Sequence, residues 1–196
     1  MINGSGPAVR LAGRPLQFRR GETVQANHVI EATNVNEQIW FETRSMTGGS
    51  RNILDLSMLG NIIQGSGVGS RYETDNPNII LGSIAFFDIQ PEDTMAVKDI
   101  TVNYNGIDYS TCTIKFATNN GSWRIQLKGN REGGAKIHLV NGVGWLVNKI
   151  LVFEKIRTDY YSLSVLGPGD LAACRAASYV VAHNGSSRDS KEYGLL

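Results

Sequence analysis

The stretch Ile100-Thr-Val-Asn-Tyr-Asn-Gly-Ile-Asp-Tyr-Ser-Thr-Cys-Thr-Ile-Lys-Phe116 holds the strongest local signal for the fold of this chain. Apolar and β-branched residues alternate with polar ones around Asn105-Gly106, which is typical of two half-buried strands. Asn and Gly tolerate the positive φ that both central residues of a two-residue hairpin turn require. The sequence therefore predicts an antiparallel hairpin here and a fold built mainly of β-strands.

Further strands are predicted on both sides of this hairpin. Downstream, the polar connection at residues 117–122 leads into the alternating run Trp123-Arg-Ile-Gln-Leu-Lys128. Upstream, Gln38-Ile-Trp-Phe-Glu-Thr43 and Ile53-Leu-Asp-Leu-Ser-Met58 are typical strand sequences, and residues 61–77 suit a loop. The remaining predicted strands are the runs at residues 79–88, 135–140, 149–154 and 160–166.

One helix is predicted, at residues 171–183. Asp170 suits its N-cap and Asn184-Gly185 suits its end, while the polar tail from residue 186 onward is predicted to be extended. Eight or nine short strands with little helix favour a sandwich or a barrel.

Length and composition indicate a globular chain with one main domain. Its 196 residues suit a single core, and 41% hydrophobic with 19% charged residues argues against disorder. We expect residues 1–30 to form an N-terminal arm or linker, of which residues 1–7 are native or added, and residues 31–196 to form the domain. No run approaches the roughly 18 apolar residues of a membrane span, and the start does not resemble a secretory signal. Cys112 and Cys174 are predicted to be buried free thiols in a reducing cytoplasm, and a disulfide is the alternative.

Charge is unevenly distributed, although the net charge is only +1. Residues 55–99 contain seven acidic and two basic side chains, whereas residues 115–157 contain eight basic and two acidic ones. Such polarity suits a basic face for a polyanion, and it equally suits solvated strand faces.

The sequence offers no convincing catalytic or metal-binding constellation. His28, His138 and His183 lack Cys, Asp or Glu at metal-ligand spacing, and no nucleophile elbow, phosphate-binding loop or dinucleotide fingerprint is present. Glu92, Asp93 and Lys98 could cluster on one loop, but we interpret them as surface charges. We therefore predict no catalytic residue, no metal and no cofactor.

Two polar, Gly-containing connections have a composition suited to DNA contacts; we name residues 44–52 the first arm and residues 117–131 the second arm. Arg reads guanine and Asn or Gln reads adenine, while Ser, Thr, Lys and Arg hold phosphates, and glycines allow close backbone approach. Solvated loops have a similar composition. The candidate DNA-contacting residues are Arg44, Ser45, Thr47, Gly48, Gly49, Arg51 and Asn52 in the first arm, and Asn119, Asn120, Ser122, Arg124, Gln126, Lys128 and Arg131 in the second.

Three stretches resemble the B3-like DNA-binding pseudobarrel found in plant transcription factors and in restriction endonucleases of the BfiI, NgoFVII and EcoRII kinds. They are residues 40–56, with Trp40-Phe-Glu-Thr-Arg-Ser-Met-Thr-Gly-Gly-Ser-Arg-Asn-Ile-Leu-Asp-Leu; residues 113–128, with Asn120-Gly-Ser-Trp-Arg-Ile-Gln-Leu; and the pair Lys149-Ile-Leu-Val-Phe-Glu-Lys and Tyr160-Tyr-Ser-Leu-Ser-Val-Leu. Together they cover about a quarter of the chain. The weak helical signal at residues 59–67 and the extra C-terminal helix depart from the plant type and favour the bacterial branch.

The resemblance implies an antiparallel pseudobarrel whose two arms grip double-stranded DNA in a sequence-specific way. It further implies the target-recognition domain of a bacterial, cytoplasmic type II restriction endonuclease, with the hydrolase domain outside this chain. The isolated domain would be a monomer, and the parent protein could be a dimer. Arg44, Arg51, Asn120, Arg124 and Gln126 would read bases. Ser45, Thr47, Ser122, Lys128 and Arg131 would hold phosphates.

Three other classes of function stay open from the sequence. A carbohydrate-binding β-sandwich would use Trp40, Trp123 and Trp145 as stacking platforms. A small metal-dependent nuclease would need an acidic site that we do not recognise. A structural or assembly protein, such as a phage component, would form oligomers and show no affinity for DNA.

Overall fold

The computed structural model describes residues 10–11, 14–15, 37–58, 84, 86–89, 93–178, 180–183 and 191–196. Expectations for residues 1–9, 61–77 and 184–185 lie outside these residues. A 3-10 turn, Pro168–Asp170, leads into helix α1 (Leu171–Ala177), and further 3-10 turns occur at Thr118–Asn120 and Ile137–Leu139. The strands are β1 (Arg10–Leu11), β2 (Arg14–Pro15), β3 (Gln38–Glu42), β4 (Ile53–Met58), β5 (Val97–Tyr104), β6 (Ile107–Ala117), β7 (Ser122–Gln126), β8 (Ile150–Arg157), β9 (Tyr160–Leu166), β10 (Val180–His183) and β11 (Glu192–Leu195).

Strands β3 to β11 form one curled sheet, a half-barrel with the strand order β10-β11-β3-β8-β9-β5-β6-β7-β4, while β1 pairs with β2. The mainly β class is confirmed. The predicted purely antiparallel sheet is wrong, because β5 and β9 pair in parallel with Val102 opposite Tyr161. Parallel neighbours are joined by long connections, so their pairing leaves no local sequence pattern.

The hairpin predicted at residues 100–116 is confirmed. Strands β5 and β6 pair around Asn105 and Gly106, whose φ values are 52° and 79°. A bulge between Ile100 and Val102, with Thr111 at a φ of 64°, bends the long strand β6. Such bulges increase the local twist and help a sheet to curl.

Strand β3 is buried on both faces, which explains its almost continuous apolar sequence. Ile39 and Phe41 point into the half-barrel, where Phe41 contacts the rings of Phe87, Phe153 and Tyr193. Trp40 points to the outer face, where α1 covers it. The Trp40 indole donates to Ser178 Oγ at 2.7 Å. The helix therefore covers the outer face of the sheet at β3.

The helix is shorter than predicted, since α1 ends at Ala177 and residues 180–183 form β10. Val180 and Val181 are β-branched and pair with Leu195 and Gly194, a tertiary interaction that overrides the helical pattern. Asp170 stands at the predicted N-cap position of α1, but its φ and ψ are helical and its side chain does not cap α1. Its carboxylate instead accepts the Gly167 amide at 3.1 Å. The extended tail is confirmed in part, because residues 192–195 form β11.

Two predicted strands are wrong in their described parts. Residues 137–139 form a 3-10 turn. Lys136, just before this turn, forms an isolated strand-like bridge with Asn130. Residues 86–88 form a turn, with the Phe87 amide donating to the Ile84 carbonyl at 2.9 Å. Both runs are apolar because they are buried: Ile84, Phe86, Phe87 and Ile137 belong to the main core.

Both cysteines are free and buried, as predicted. Burial raises the pKa of Cys112 to about 12 and the pKa of Cys174 to about 11. Within the described residues, no helix has the length and apolar character needed to cross a membrane.

Candidate nucleic-acid interface

Strand β7 separates the tips of the two predicted arms. At its Gln126 end it pairs with Ile53, and the Leu127 amide donates to the Asn52 carbonyl of the first arm at 2.9 Å. At its other end, Ser122 pairs with Met58 and follows directly on the turn at residues 118–121. Five strand residues span about 17 Å, so the structure does not bring the first arm and the tip of the second arm together.

The first arm is a tight loop that closes between β3 and β4. Thr47 and Ile53 form a backbone bridge, and the Arg51 amide donates to the Gly48 carbonyl at 3.0 Å. Gly48 has a φ of 85°, which suits glycine, and Arg51 has a φ of 52°. Met46 is buried beneath the loop. The fold therefore presents the exposed candidate residues together: Arg44, Ser45, Thr47, Gly48, Gly49 and Arg51, with Asn52 half-buried.

The two arginines of the first arm differ in their partners. Arg44 Nε lies 2.7 Å from Glu42 Oε1, so its charge is already compensated on β3. Among the described residues, the hydrogen bond of the Arg51 side chain is a long one, 3.4 Å to the Met46 carbonyl. Lys191 donates to the Ser45 carbonyl at 2.8 Å, and burial lowers its pKa. Arg51 is therefore the arginine of this arm best placed to bind an anion.

The tip of the second arm is a hairpin turn at the opposite end of β7. Gly121 has a φ of 58° and closes the turn, which leaves Asn119 and Asn120 exposed. Ser122 is only 3% exposed, so its hydroxyl does not reach the surface where a phosphate would lie.

Strand alternation in β7 follows the prediction: Trp123 and Ile125 are buried inside, whereas Arg124 and Gln126 are half-buried on the outer face. Arg124 Nε lies 2.7 Å from Asp55 Oδ1 on β4. To contact a base, Arg124 would have to break its ion pair with Asp55.

The loop after β7, at residues 127–149, returns to the first arm. The Asn148 amide donates to the Thr43 carbonyl at 3.1 Å, and buried Thr43 donates its hydroxyl to Leu146 and accepts the Lys149 amide at 3.0 Å. Lys128 and Arg131 of the second arm lie in this loop, on the same side as the first arm. We name residues 44–52 and 127–149 together the basic end.

The basic end contains six cationic side chains, Arg44, Arg51, Lys128, Arg131, Lys136 and Lys149, against one acid, Glu132. Apart from Arg44, none of these cations has a carboxylate within salt-bridge distance among the described residues. Lys136 and Lys149 were missed as candidates because they were placed on predicted strands. The glycines at 133, 134, 142 and 144 are the signal that marks this segment as a loop.

The opposite end of the sheet compensates its charges internally. Lys98 Nζ lies 2.7 Å from Asp159 Oδ1 and 3.7 Å from Asp88 Oδ2, and Lys155 Nζ lies 2.5 Å from Asp88 Oδ1. We name these four residues the paired end. Lys98, which the sequence placed near Asp93 and Glu92, is thus part of an ion-pair network; Glu92 lies outside the described residues.

Among the described residues, no three His, Cys, Asp or Glu side chains come close enough to hold a metal ion. No protein-family model and no curated protein matches the chain, so the inference of function depends on this surface.

Proposed function

We propose that the chain binds double-stranded DNA through its basic end. The observation that supports this proposal is the set of five cations there that have no carboxylate partner in the described part of the chain. Lysine and arginine side chains that neutralise phosphates release condensed counterions, and this release drives DNA binding. An enzyme site for small anions would need fewer charges and a deeper enclosure than these exposed loops provide.

Roles within the surface follow from side-chain chemistry. Arg51 has the planar, bidentate donors that read guanine, and Asn52 lies next to it. Lys128, Arg131, Lys136 and Lys149 supply point or forked charges for phosphates on either side. The sugar-phosphate backbone of the duplex would approach the loop surface formed by Ser45, Thr47, Gly48 and Gly49.

The finer proposal, that this half-barrel is a B3-like pseudobarrel from the recognition domain of a restriction endonuclease, rests on the sequence resemblance. Under it, Asn119, Asn120, Arg124 and Gln126 would also contact DNA. The distance along β7 means that Asn119 and Asn120 would contact a part of the duplex away from the first arm, whereas Gln126 pairs with Ile53 beside that arm. The proposed recognition domain would cut no DNA by itself.

A carbohydrate-binding function is less well supported. Trp40 and Trp123 are fully buried, and Trp145 is half-buried with its ring centroid 5.1 Å from that of Tyr104. Sugar rings need an exposed aromatic face, which these side chains do not offer.

The test is fluorescence anisotropy with a labelled duplex pool of randomised core, titrated with salt. We expect binding by the wild-type chain, with an affinity that falls steeply with salt. Removing one phosphate contact shallows the slope of log K against log salt by about 0.9, so Lys128→Ala with Lys136→Ala should shallow it by about 1.8.

Arg157→Ala is the matched control, because Arg157 is an exposed cation at the end of β8 that stacks on Tyr160 and does not belong to the basic end. It should leave the slope unchanged. Absence of salt-dependent binding by the wild type, or an unchanged slope in the double variant, would contradict the proposal. Plasmid incubated with the chain and Mg²⁺ should stay intact if cleavage belongs to another domain.

A further inference from the structure

Three apolar side chains are exposed on one loop of the basic end. Leu139 is 46% exposed, Val140 41% and Val143 68%, and all three lie in the loop at residues 127–149. We name them the apolar knob. Clustered apolar side chains at a surface usually mark a contact with another molecule.

The knob is held in place by the buried part of its own loop. Ile137 and Leu146 are fully buried, His138 Nδ1 lies 3.0 Å from the Leu127 carbonyl, and Trp145 Nε1 donates to the Ile137 carbonyl at 3.1 Å. The Gly142 amide donates to the Leu139 carbonyl at 3.1 Å and closes the turn that separates Leu139 from Val143. The exposure of the knob is therefore a property of an ordered loop and does not result from fraying.

Cations border the knob. Arg51 of the first arm reaches the far side, because a Cβ built on Gly144 would lie 3.9 Å from Arg51 Cγ. Lys136 precedes the 3-10 turn of the knob, and Lys128 follows Leu127, whose carbonyl contacts His138. An apolar centre with a cationic rim is complementary to a groove lined by base edges and bordered by phosphates.

We propose that the apolar knob enters the major groove of DNA and contacts thymine methyl groups, while the rim cations hold the flanking phosphates. This inference rests on the proposed function. Apolar side chains recognise the thymine C5-methyl, the one apolar group that the major groove displays. Leu139 and Val143 would thus read base composition without hydrogen bonds.

An anionic membrane is the other polyanion that an apolar tip with a basic rim could meet. Membrane-interface segments are enriched in Trp and Tyr. Here the knob contains only aliphatic side chains, and Trp145 of the same loop turns inward to Tyr104 and the Ile137 carbonyl. The observations therefore favour DNA.

The test compares two duplex pools of randomised core, one made with thymine and one with uracil, so that the second pool lacks the C5-methyl group at every thymine position. The variant is Val143→Thr, which replaces a methyl by a hydroxyl of similar volume. Val97→Thr is the matched control, because Val97 is 69% exposed on β5 at the opposite end of the sheet.

We expect the wild type and Val97→Thr to bind the thymine pool about fourfold more tightly than the uracil pool, the value of one buried methyl group. Val143→Thr should lose about fourfold on the thymine pool and most of the discrimination, with an unchanged salt slope. Equal binding of both pools by the wild type, or full discrimination by Val143→Thr, would overturn the inference while leaving DNA binding intact. Failure of the wild type to bind any duplex would overturn the proposed function itself. Binding to phosphatidylserine vesicles that Val143→Thr abolishes would assign the knob to a membrane instead.

Discussion

The two ends of the half-barrel contain similar side chains in opposite arrangements. At the paired end, Lys98 and Lys155 each contact a carboxylate within 2.7 Å. At the basic end, Lys128, Arg131 and Lys136 extend from a loop that contributes a single acid, Glu132. Charge that is compensated inside the fold serves the fold, whereas charge left uncompensated costs stability through repulsion and is available to a partner.

The same contrast holds for apolar side chains. Near the paired end, Phe86 and Phe87 pack on Tyr161 at ring distances of 5.7 and 5.1 Å. At the basic end, Val143 and Leu139 are held outward by a well-anchored loop. Under the proposed function, the paired end stabilises the molecule and the basic end serves recognition.

The largest expected effect comes from detaching the basic end at Gly129. A Cβ at this position would lie 2.7 Å from both Cys112 Sγ and the Ser110 carbonyl, and backbone atoms of β6 cannot easily move aside. Gly129→Ala should lower the free energy of unfolding by about 3 kcal/mol and abolish DNA binding. Urea denaturation measures the first effect.

Gly49→Ala is its control, since nothing lies within 4 Å of a Cβ built on Gly49. Its stability should change by less than about 0.5 kcal/mol. If the two variants proved equally stable, the loop at residues 127–149 would not be seated on β6 as described.

A pair of lysine variants tests the division of roles most directly. Lys98→Ala leaves Asp159 without its cation and removes the bond to the Phe87 carbonyl, so it should cost about 1 to 2 kcal/mol of stability and leave DNA affinity unchanged. Lys128→Ala should do the reverse, with stability within about 0.5 kcal/mol of the wild type and weaker DNA binding. Thermal unfolding measures the stability of both variants, and fluorescence anisotropy measures their DNA affinity. Equal losses of stability would remove the distinction between the two ends.

The smallest effect concerns the Cys112 thiol, which lies under Gly129 at the base of the basic end. Burial raises its pKa to about 12 in the folded chain, from an ordinary value near 9.0. Between these values the unfolded chain releases a proton that the folded chain keeps, so stability falls as the pH rises. The free energy of unfolding should drop by about 1 kcal/mol from pH 8 to pH 10 on this account. Cys112→Ala, although less stable throughout, should show a shallower decline in urea titrations at each pH. An identical decline would assign the effect to other groups, such as Tyr161, whose pKa burial also raises.

The sequence was informative where structure depends on neighbouring residues. Asn105-Gly106 determines its hairpin locally, and the alternation of Trp123, Arg124, Ile125 and Gln126 follows from the pleat of a strand. Polar loops around residues 44–52 and 118–121 were also recognisable.

Tertiary pairing accounts for what the sequence did not reveal. The opposite placement of the two arm tips depends on β4 pairing with β7, and β10 replaces the end of the helix because β11 is there to receive it. The ion pair between Arg124 and Asp55 joins residues 69 positions apart, so charge counts along the chain could not separate compensated from uncompensated cations.

The position of β3 in the sheet has a consequence for folding during translation. Its two neighbours in the sheet, β8 and β11, are both synthesised long after it. At about 5 to 20 residues per second, the roughly 150 residues that separate Phe41 from its partner Tyr193 take about 8 to 30 seconds to make. Until β8 has been made, Ile39, Trp40 and Phe41 form a nascent apolar segment with no partner on either side, and until β11 has been made one side stays unpaired. Such a segment can pair with other chains. We therefore expect the yield of folded protein in a cell to depend on chaperones that shield this segment until translation has passed residue 195.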